Sequence, residues 1–125
     1  MDNKEMICLA KKASENAYSP YSGIKVGAAL VCGNGKIYTG ANVENASYGA
    51  TICAERTAFV KAVSEGEREF EAIAIAGSIR NLVPCGMCRQ FMAEFNPKLQ
   101  VIYEDEEGNM VETSLETLFP QGFSL

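Results

Sequence analysis

Ile24-Lys25-Val26-Gly27-Ala28-Ala29-Leu30-Val31-Cys32-Gly33-Asn34-Gly35-Lys36-Ile37-Tyr38-Thr39-Gly40 decides the fold. Residues 24–32 are rich in Val, Leu and Ala and read as a strand. Asn34-Gly35 is a strong hairpin signal, because a two-residue turn of the right hand needs positive φ at both positions, and it leads into a second strand over 36–40. The first two strands are therefore antiparallel neighbours.

Working outward toward the N-terminus, Met6, Leu9, Ala10, Ala13 and Ala17 recur at helical spacing. They predict an amphipathic helix from residue 5 to about 17, stopped by Ser19-Pro20. In the other direction, residues 41–51 form a loop rich in Asn, Ser and Gly. A helix over 53–64 follows, closed by Gly66, and then a short apolar strand over 70–76. The loop 81–84 leads to a third helix over 86–95, ended by Asn96-Pro97. Strands over 99–103 and 110–112 flank a Glu106-Glu107-Gly108-Asn109 turn, and a helical turn covers 115–118.

The last two strands are joined too tightly for a crossover and must run antiparallel if adjacent. The alternation before them calls for helical crossovers. The expected fold is an α/β three-layer sandwich: a mixed five-stranded sheet with a leading antiparallel hairpin, a parallel centre, an antiparallel last strand and helices on both faces. One domain is expected over residues 1–125.

At 125 residues and 47% hydrophobic, the chain can bury one core without disulfides. A net charge of −5 with scattered Lys and Arg disfavours a phosphate-binding surface and favours a small soluble substrate, with no nucleic acid as partner. The opening residues Met1-Asp2-Asn3-Lys4-Glu5 lack a signal-like pattern, and no apolar run is long enough to span a bilayer. A cytoplasmic protein without a membrane partner is expected.

The chain has five cysteines and no histidine. Cys53 lies in Ile52-Cys53-Ala54-Glu55-Arg56, and Cys85 and Cys88 lie in Pro84-Cys85-Gly86-Met87-Cys88. Three thiolates fit zinc and leave a fourth coordination position open, the mark of a catalytic rather than a structural site. Crossovers of one hand would bring the starts of the second and third helices together, where the helix dipole favours thiolate. Cys85 and Cys88 share a helix face, and Pro84 suits a helix start because its missing N–H needs no partner there.

Cys53 and Glu55 are two apart, so both can face one metal only if Cys53 is the cap, ahead of helical dihedrals. Glu55 is then the candidate general acid and base. Three thiolates leave a zinc cluster at net −1, and Arg56, three residues from Cys53, is placed to temper that charge. A Cys-x-x-Cys pair alone would serve equally as a redox dithiol or part of a structural zinc clip. Cys8 and Cys32 are expected to be small buried apolar residues.

Cys53-Ala54-Glu55-Arg56-Thr57-Ala58 with Pro84-Cys85-Gly86-Met87-Cys88-Arg89-Gln90 resembles the small, homotetrameric class of cytidine deaminases. The resemblance runs through Tyr18-Ser19-Pro20-Tyr21-Ser22, Val26-Gly27-Ala28-Ala29-Leu30, Asn42-Val43-Glu44-Asn45-Ala46 and Leu118-Phe119-Pro120-Gln121-Gly122-Phe123. It implies one zinc per chain and hydrolysis at C4 of the pyrimidine of cytidine or deoxycytidine, with Glu55 carrying the water's proton to N3 and then to the leaving amine. It also implies that Asn42 and Glu44 hold the ribose, that the Ala54 backbone meets the pyrimidine, and that Phe123 reaches a neighbouring subunit's site in a homotetramer. Ile24 stands where many members carry a Phe near the substrate, and Val83 where a Ser often precedes Pro-Cys. Two other readings are a blasticidin-type deaminase, acting on a cytosine-bearing antibiotic, and a zinc-stabilised module without turnover.

Overall fold

Asp2 starts the first helix earlier than its apolar spacing predicts. The Asp2 carboxylate accepts the Glu5 N–H at 2.8 Å, which caps α1, Asn3–Ser14. The helix also ends before Ser19-Pro20 is reached, because Tyr18 is drawn into an extended bridge with Val43. The structure, a computed structural model, describes residues 1–125.

Strands β1 (Val26–Cys32) and β2 (Ile37–Ala41) form the expected hairpin, but its turn is not the two-residue kind. Within it Gly35 alone has positive φ, at 87°, and its N–H bonds Cys32 O while Cys32 N bonds Lys36 O. Helix α2 (Ala54–Ser64), strand β3 (Phe70–Gly77), helix α3 (Gly86–Phe95), strands β4 (Gln100–Glu104) and β5 (Met110–Ser114) and the short α4 (Leu115–Leu118) complete the order. Ile24 lies outside β1. The Asn42 amide accepts from Val26 N at 2.8 Å and donates to Ile24 O at 2.9 Å, which occupies that backbone and takes it out of the ladder.

The sheet order is β2-β1-β3-β4-β5. β1 pairs antiparallel with both β2 and β3, β3 with β4 is the parallel pair, and β4 with β5 is antiparallel. The mixed sheet and its helices on both faces are as the sequence predicts.

Strand alternation sorts the core into two unequal layers. Ala29, Ala72, Ala74, Ala76 and Ile102 turn toward Met6, Ile7 and Ala10 of α1. Leu30, Ile73, Ile75 and Val101 turn toward α2 and α3, where Phe59, Cys88 and Met92 meet them. The alanine face lets α1 lie close, and a Cβ on Gly27 would stand 1.9 Å from the Ala10 carbonyl oxygen. Cys32 is buried as expected, but Cys8 is exposed, because the buried stripe of α1 runs through Met6, Ile7, Ala10 and Ser14 and leaves Cys8 off it.

Candidate active site

Gly40 fixes where α2 begins. A Cβ there would stand 2.5 Å from Ala58 N and 2.6 Å from Ala54 O, so the first turns of the helix rest directly on β2. Immediately before that turn, Cys53 has φ −74° and ψ 157°, an extended cap and not a helical residue. The cap geometry lets Cys53 and Glu55 line one cavity although they are only two residues apart.

Helix α3 repeats the device. Cys85 is its extended cap, with φ −68° and ψ 170°, and its sulfur accepts the Cys88 N–H at 3.4 Å. Pro84 therefore stands one residue before the cap, not at the first helical position its chemistry suggested, because the thiol takes over the capping role.

The sulfurs of Cys53, Cys85 and Cys88 lie within 4.8 Å of one another, and Cys53 Sγ is 3.9 Å from Cys85 Sγ. A tetrahedral zinc with bonds of about 2.3 Å holds its sulfurs about 3.8 Å apart, so this donor set fits zinc in chemistry and spacing. Cys88 is buried, Cys53 half-buried and Cys85 exposed, so the cluster opens toward solvent on the Cys85 side.

Hydrogen bonding from Cys88, and then from Arg56 and Cys85, holds the Cys53 thiol down at about 5. The same pairing with Cys53, joined by burial, pushes the Cys88 thiol up. Arg56 Nη2 lies 3.9 Å from Cys53 Sγ and donates to Thr51 O at 3.2 Å, while its buried Nε has no partner. Glu55 is 4% exposed, and burial, reinforced by the charge of Cys53, raises its carboxyl from 4.5 to about 7. It is poised to hold or release a proton near neutral pH.

Cys53, Glu55 and Cys85 open into a cavity of about 280 Å³ whose apolar walls include Val26, Ile75, Leu82 and Val83. Ile24, Asn42, Glu44 and Ala54 line it as well. Asn42 is buried with both ends of its amide on the Ile24 and Val26 backbone. Glu44 Oε1 accepts from Tyr21 N at 2.9 Å and Ser22 N at 3.1 Å, and its Oε2 accepts from the Ser22 hydroxyl at 2.5 Å. The Ser22 hydroxyl first, and these backbone donors after it, hold the Glu44 carboxyl below the ordinary range.

Phe123 is not in this cavity. It is 68% exposed beside Gln90, Phe91 and Phe95 of α3, with its carbonyl bonded to Gln90 Nε2 at 3.0 Å. Sequence reasoning gave no role to Thr51, Ile52 or Leu82, which line the cavity, or to Ser22, which orients Glu44. The Tyr18-Ser19-Pro20-Tyr21-Ser22 stretch contained the last of these, but a bond across 22 positions leaves no local pattern.

Residues 1–104 match the family model for the cytidine and deoxycytidylate deaminase zinc-binding region. The chain is 48% identical to a cytidine deaminase of Sporosarcina psychrophila, over 99% of its own length and 93% of the relative's. The crystal structure of cytidine deaminase from Burkholderia pseudomallei superposes with a TM-score of 0.92 at 48% identity, covering 98% of this chain and 100% of that one. A blasticidin-S deaminase of Bacillus cereus is 35% identical over 76% of this chain and 74% of its own length. With the three-sulfur cluster at the edge of the cavity that Cys53, Cys85 and the buried Glu55 line, these likenesses establish that the chain belongs to the zinc-binding cytidine and deoxycytidylate deaminase family.

Proposed function

We propose that this chain is a zinc-dependent cytidine deaminase that converts cytidine and deoxycytidine, with water, to uridine and deoxyuridine and ammonia. The observation that carries this reading is Glu55, a carboxyl raised to about 7 that opens into the same cavity as the Cys53–Cys85 sulfur pair. Zinc held by Cys53, Cys85 and Cys88 supplies Lewis acidity, which lowers the pKa of water toward neutrality.

The chain's own residues do the rest. Glu55 takes one proton from the attacking water and delivers it to the ring nitrogen N3, where it stays. It then takes the second from the new C4 hydroxyl and gives it to the amine, which leaves as ammonia as the C4 carbonyl forms. Such shuttling suits a group balanced near neutral pH. Ala54, first in α2, has no helical acceptor for its N–H, which is free to bond the pyrimidine edge. Glu44, ionised at neutral pH, accepts from the sugar hydroxyls, and the Asn42 amide bonds them through the lone pair and N–H that its backbone bonds leave over. Arg56 offsets part of the thiolate charge.

No Lys or Arg lines the cavity, and the Glu44 carboxylate is part of its wall, so a phosphate would meet repulsion without a counter-ion. A nucleoside fits this wall better than a nucleotide. Residues 1–125 act as one deaminase domain in the cytoplasm, and no helix is long and apolar enough to cross a membrane. A homotetramer with Phe123 borrowed between subunits completes the site.

Zinc-loaded protein given cytidine should lower the ultraviolet absorbance as uridine forms. No turnover at saturating substrate, with zinc bound, would sink the reading and favour the module without chemistry. The blasticidin-type alternative has one observation in its favour, the 35% identity to a blasticidin-S deaminase, and Ile24 in the cavity wall is where a different substrate preference would be set. A kcat/KM for blasticidin S orders of magnitude above that for cytidine would establish that alternative.

A further inference from the structure

Arg89 follows the last cysteine of the cluster by one position, and its guanidinium turns back across the start of α3. Nε donates to Pro84 O at 2.7 Å, and Nη1 donates to Leu118 O at 2.8 Å. No carboxylate pairs with it, since the salt bridges of the chain are Lys11 with Glu104 and Lys36 with Glu67. A half-buried cation thus spends both bonds on neutral carbonyls.

Both carbonyls lack any other donor. Pro84 O precedes the cap of α3, and the first backbone bond of that helix goes from Arg89 N to Cys85 O. Leu118 O ends α4, and no backbone N–H reaches it. Charge-assisted bonds to orphan carbonyls at helix ends are strong for their kind. The Pro84 carbonyl belongs to the peptide whose nitrogen is that of Cys85, so its direction sets the plane from which the Cys85 side chain departs. Pro84 itself is fully buried, whereas Cys85 is exposed and has little side-chain packing to hold its sulfur in place. Next along the helix, Gln90 Nε2 holds Phe123 O at 3.0 Å, so two consecutive residues of α3 grip the C-terminal segment.

We infer that Arg89 is a positioning residue, which orients the Pro84–Cys85 peptide for metal binding and ties that orientation to the docked turn at Leu118. The inference rests on the reading of Cys53, Cys85 and Cys88 as the zinc ligands. Its consequence is that zinc hold and the anchoring of the last residues are coupled through one side chain.

The test compares full-length wild type, Arg89→Ala and Arg89→Lys, each loaded with zinc. Zinc release to a chromogenic chelator is timed well below the unfolding temperature, and the visible spectrum of cobalt-substituted protein is recorded beside it. Arg89→Ala is expected to release zinc about tenfold faster, with an altered cobalt spectrum and faster carboxypeptidase trimming of the C-terminus. Arg89→Lys keeps the charge but cannot span two carbonyls, and should fall between the two. If Arg89→Ala fails to fold, Arg89→Lys carries the test alone. Variants that lose thermal stability yet match wild type in release rate and cobalt spectrum overturn the assignment. Wild type that holds no zinc is recognised before any variant is compared, and overturns the metal reading together with the inference built on it.

Discussion

Glu55→Gln should separate chemistry from stability. In the wild type the carboxyl is 4% exposed, and its pKa rises from 4.5 in the open chain to about 7 in the fold, chiefly through desolvation. At about 1.4 kcal/mol for each tenfold change in proton affinity, the ionised form costs the fold about 3 kcal/mol. The folded chain binds the proton more tightly, so the penalty is absent below pH 4.5, grows through the interval up to 7 and is complete above it. Gln is isosteric and neutral throughout. Glu55→Gln should therefore match the wild type in urea unfolding at pH 4 and exceed it by about 3 kcal/mol at pH 8, with chelator present and protein concentration fixed. The same variant, loaded with zinc, should lose nearly all turnover while keeping its metal. An equal stability difference at both pH values would refute the claim that burial raises this carboxyl, and wild-type turnover would remove Glu55 from the proton path.

Three further outcomes are expected. Cys85→Ala should lose zinc and turnover together, by more than the roughly 10- to 100-fold that removal of an outer hydrogen-bond partner costs, and full zinc content after dialysis would show that Cys85 is not a ligand. Gly27→Ala forces a methyl to within 1.9 Å of the Ala10 carbonyl oxygen and should lower stability by about 1–3 kcal/mol, read as a urea midpoint shift, and an unchanged midpoint would contradict the close seating of α1. Refolding Glu55→Ala and Phe123→Ala chains together should rebuild intact sites at about a quarter of positions if Phe123 acts across subunits, whereas activity no greater than the mean of the two alone would place it elsewhere.

The fold was legible where local chemistry and global packing agree. Asn34-Gly35 specified the hairpin, and the apolar spacing of α2 and α3 placed both helices within a residue of where they lie. The errors sit where a specific hydrogen bond, local at Asp2 and long-range elsewhere, outranks apolar spacing. Asp2 moved the start of α1, the Tyr18–Val43 bridge moved its end, and Asn42 removed Ile24 from β1 across 18 positions of sequence. For the site, the extended cap at Cys53 followed from one steric requirement, that Cys53 and Glu55 face the same way, and required no periodicity. The grip of Ser22 on Glu44 and of Arg89 on Leu118 had no such handle, because a side chain bonding a distant group imposes no pattern on its neighbours.

The two faces of the sheet explain why the cavity is both well formed and incomplete. Alanines beneath α1 close that layer, and Leu30, Ile73 and Ile75 on the other face hold α2 and α3 off the strands, so that the caps of the two helices frame a hollow. The hollow of about 280 Å³ lies at the lower edge of the roughly 300–1,000 Å³ typical of ligand sites, and its walls carry no aromatic side chain against which a pyrimidine could stack. Phe123, Tyr21 and Tyr48 are instead exposed outside it. Gln90 ties the backbone of the segment carrying Phe123 to α3. Within one chain Cys53, Cys85, Glu55, Asn42 and Glu44 line the same cavity, the residues proposed as metal ligands, proton carrier and sugar acceptors. On the proposed reading, Phe123 of a second copy supplies the aromatic surface for the base, and catalysis by this chain is then a property of the assembly.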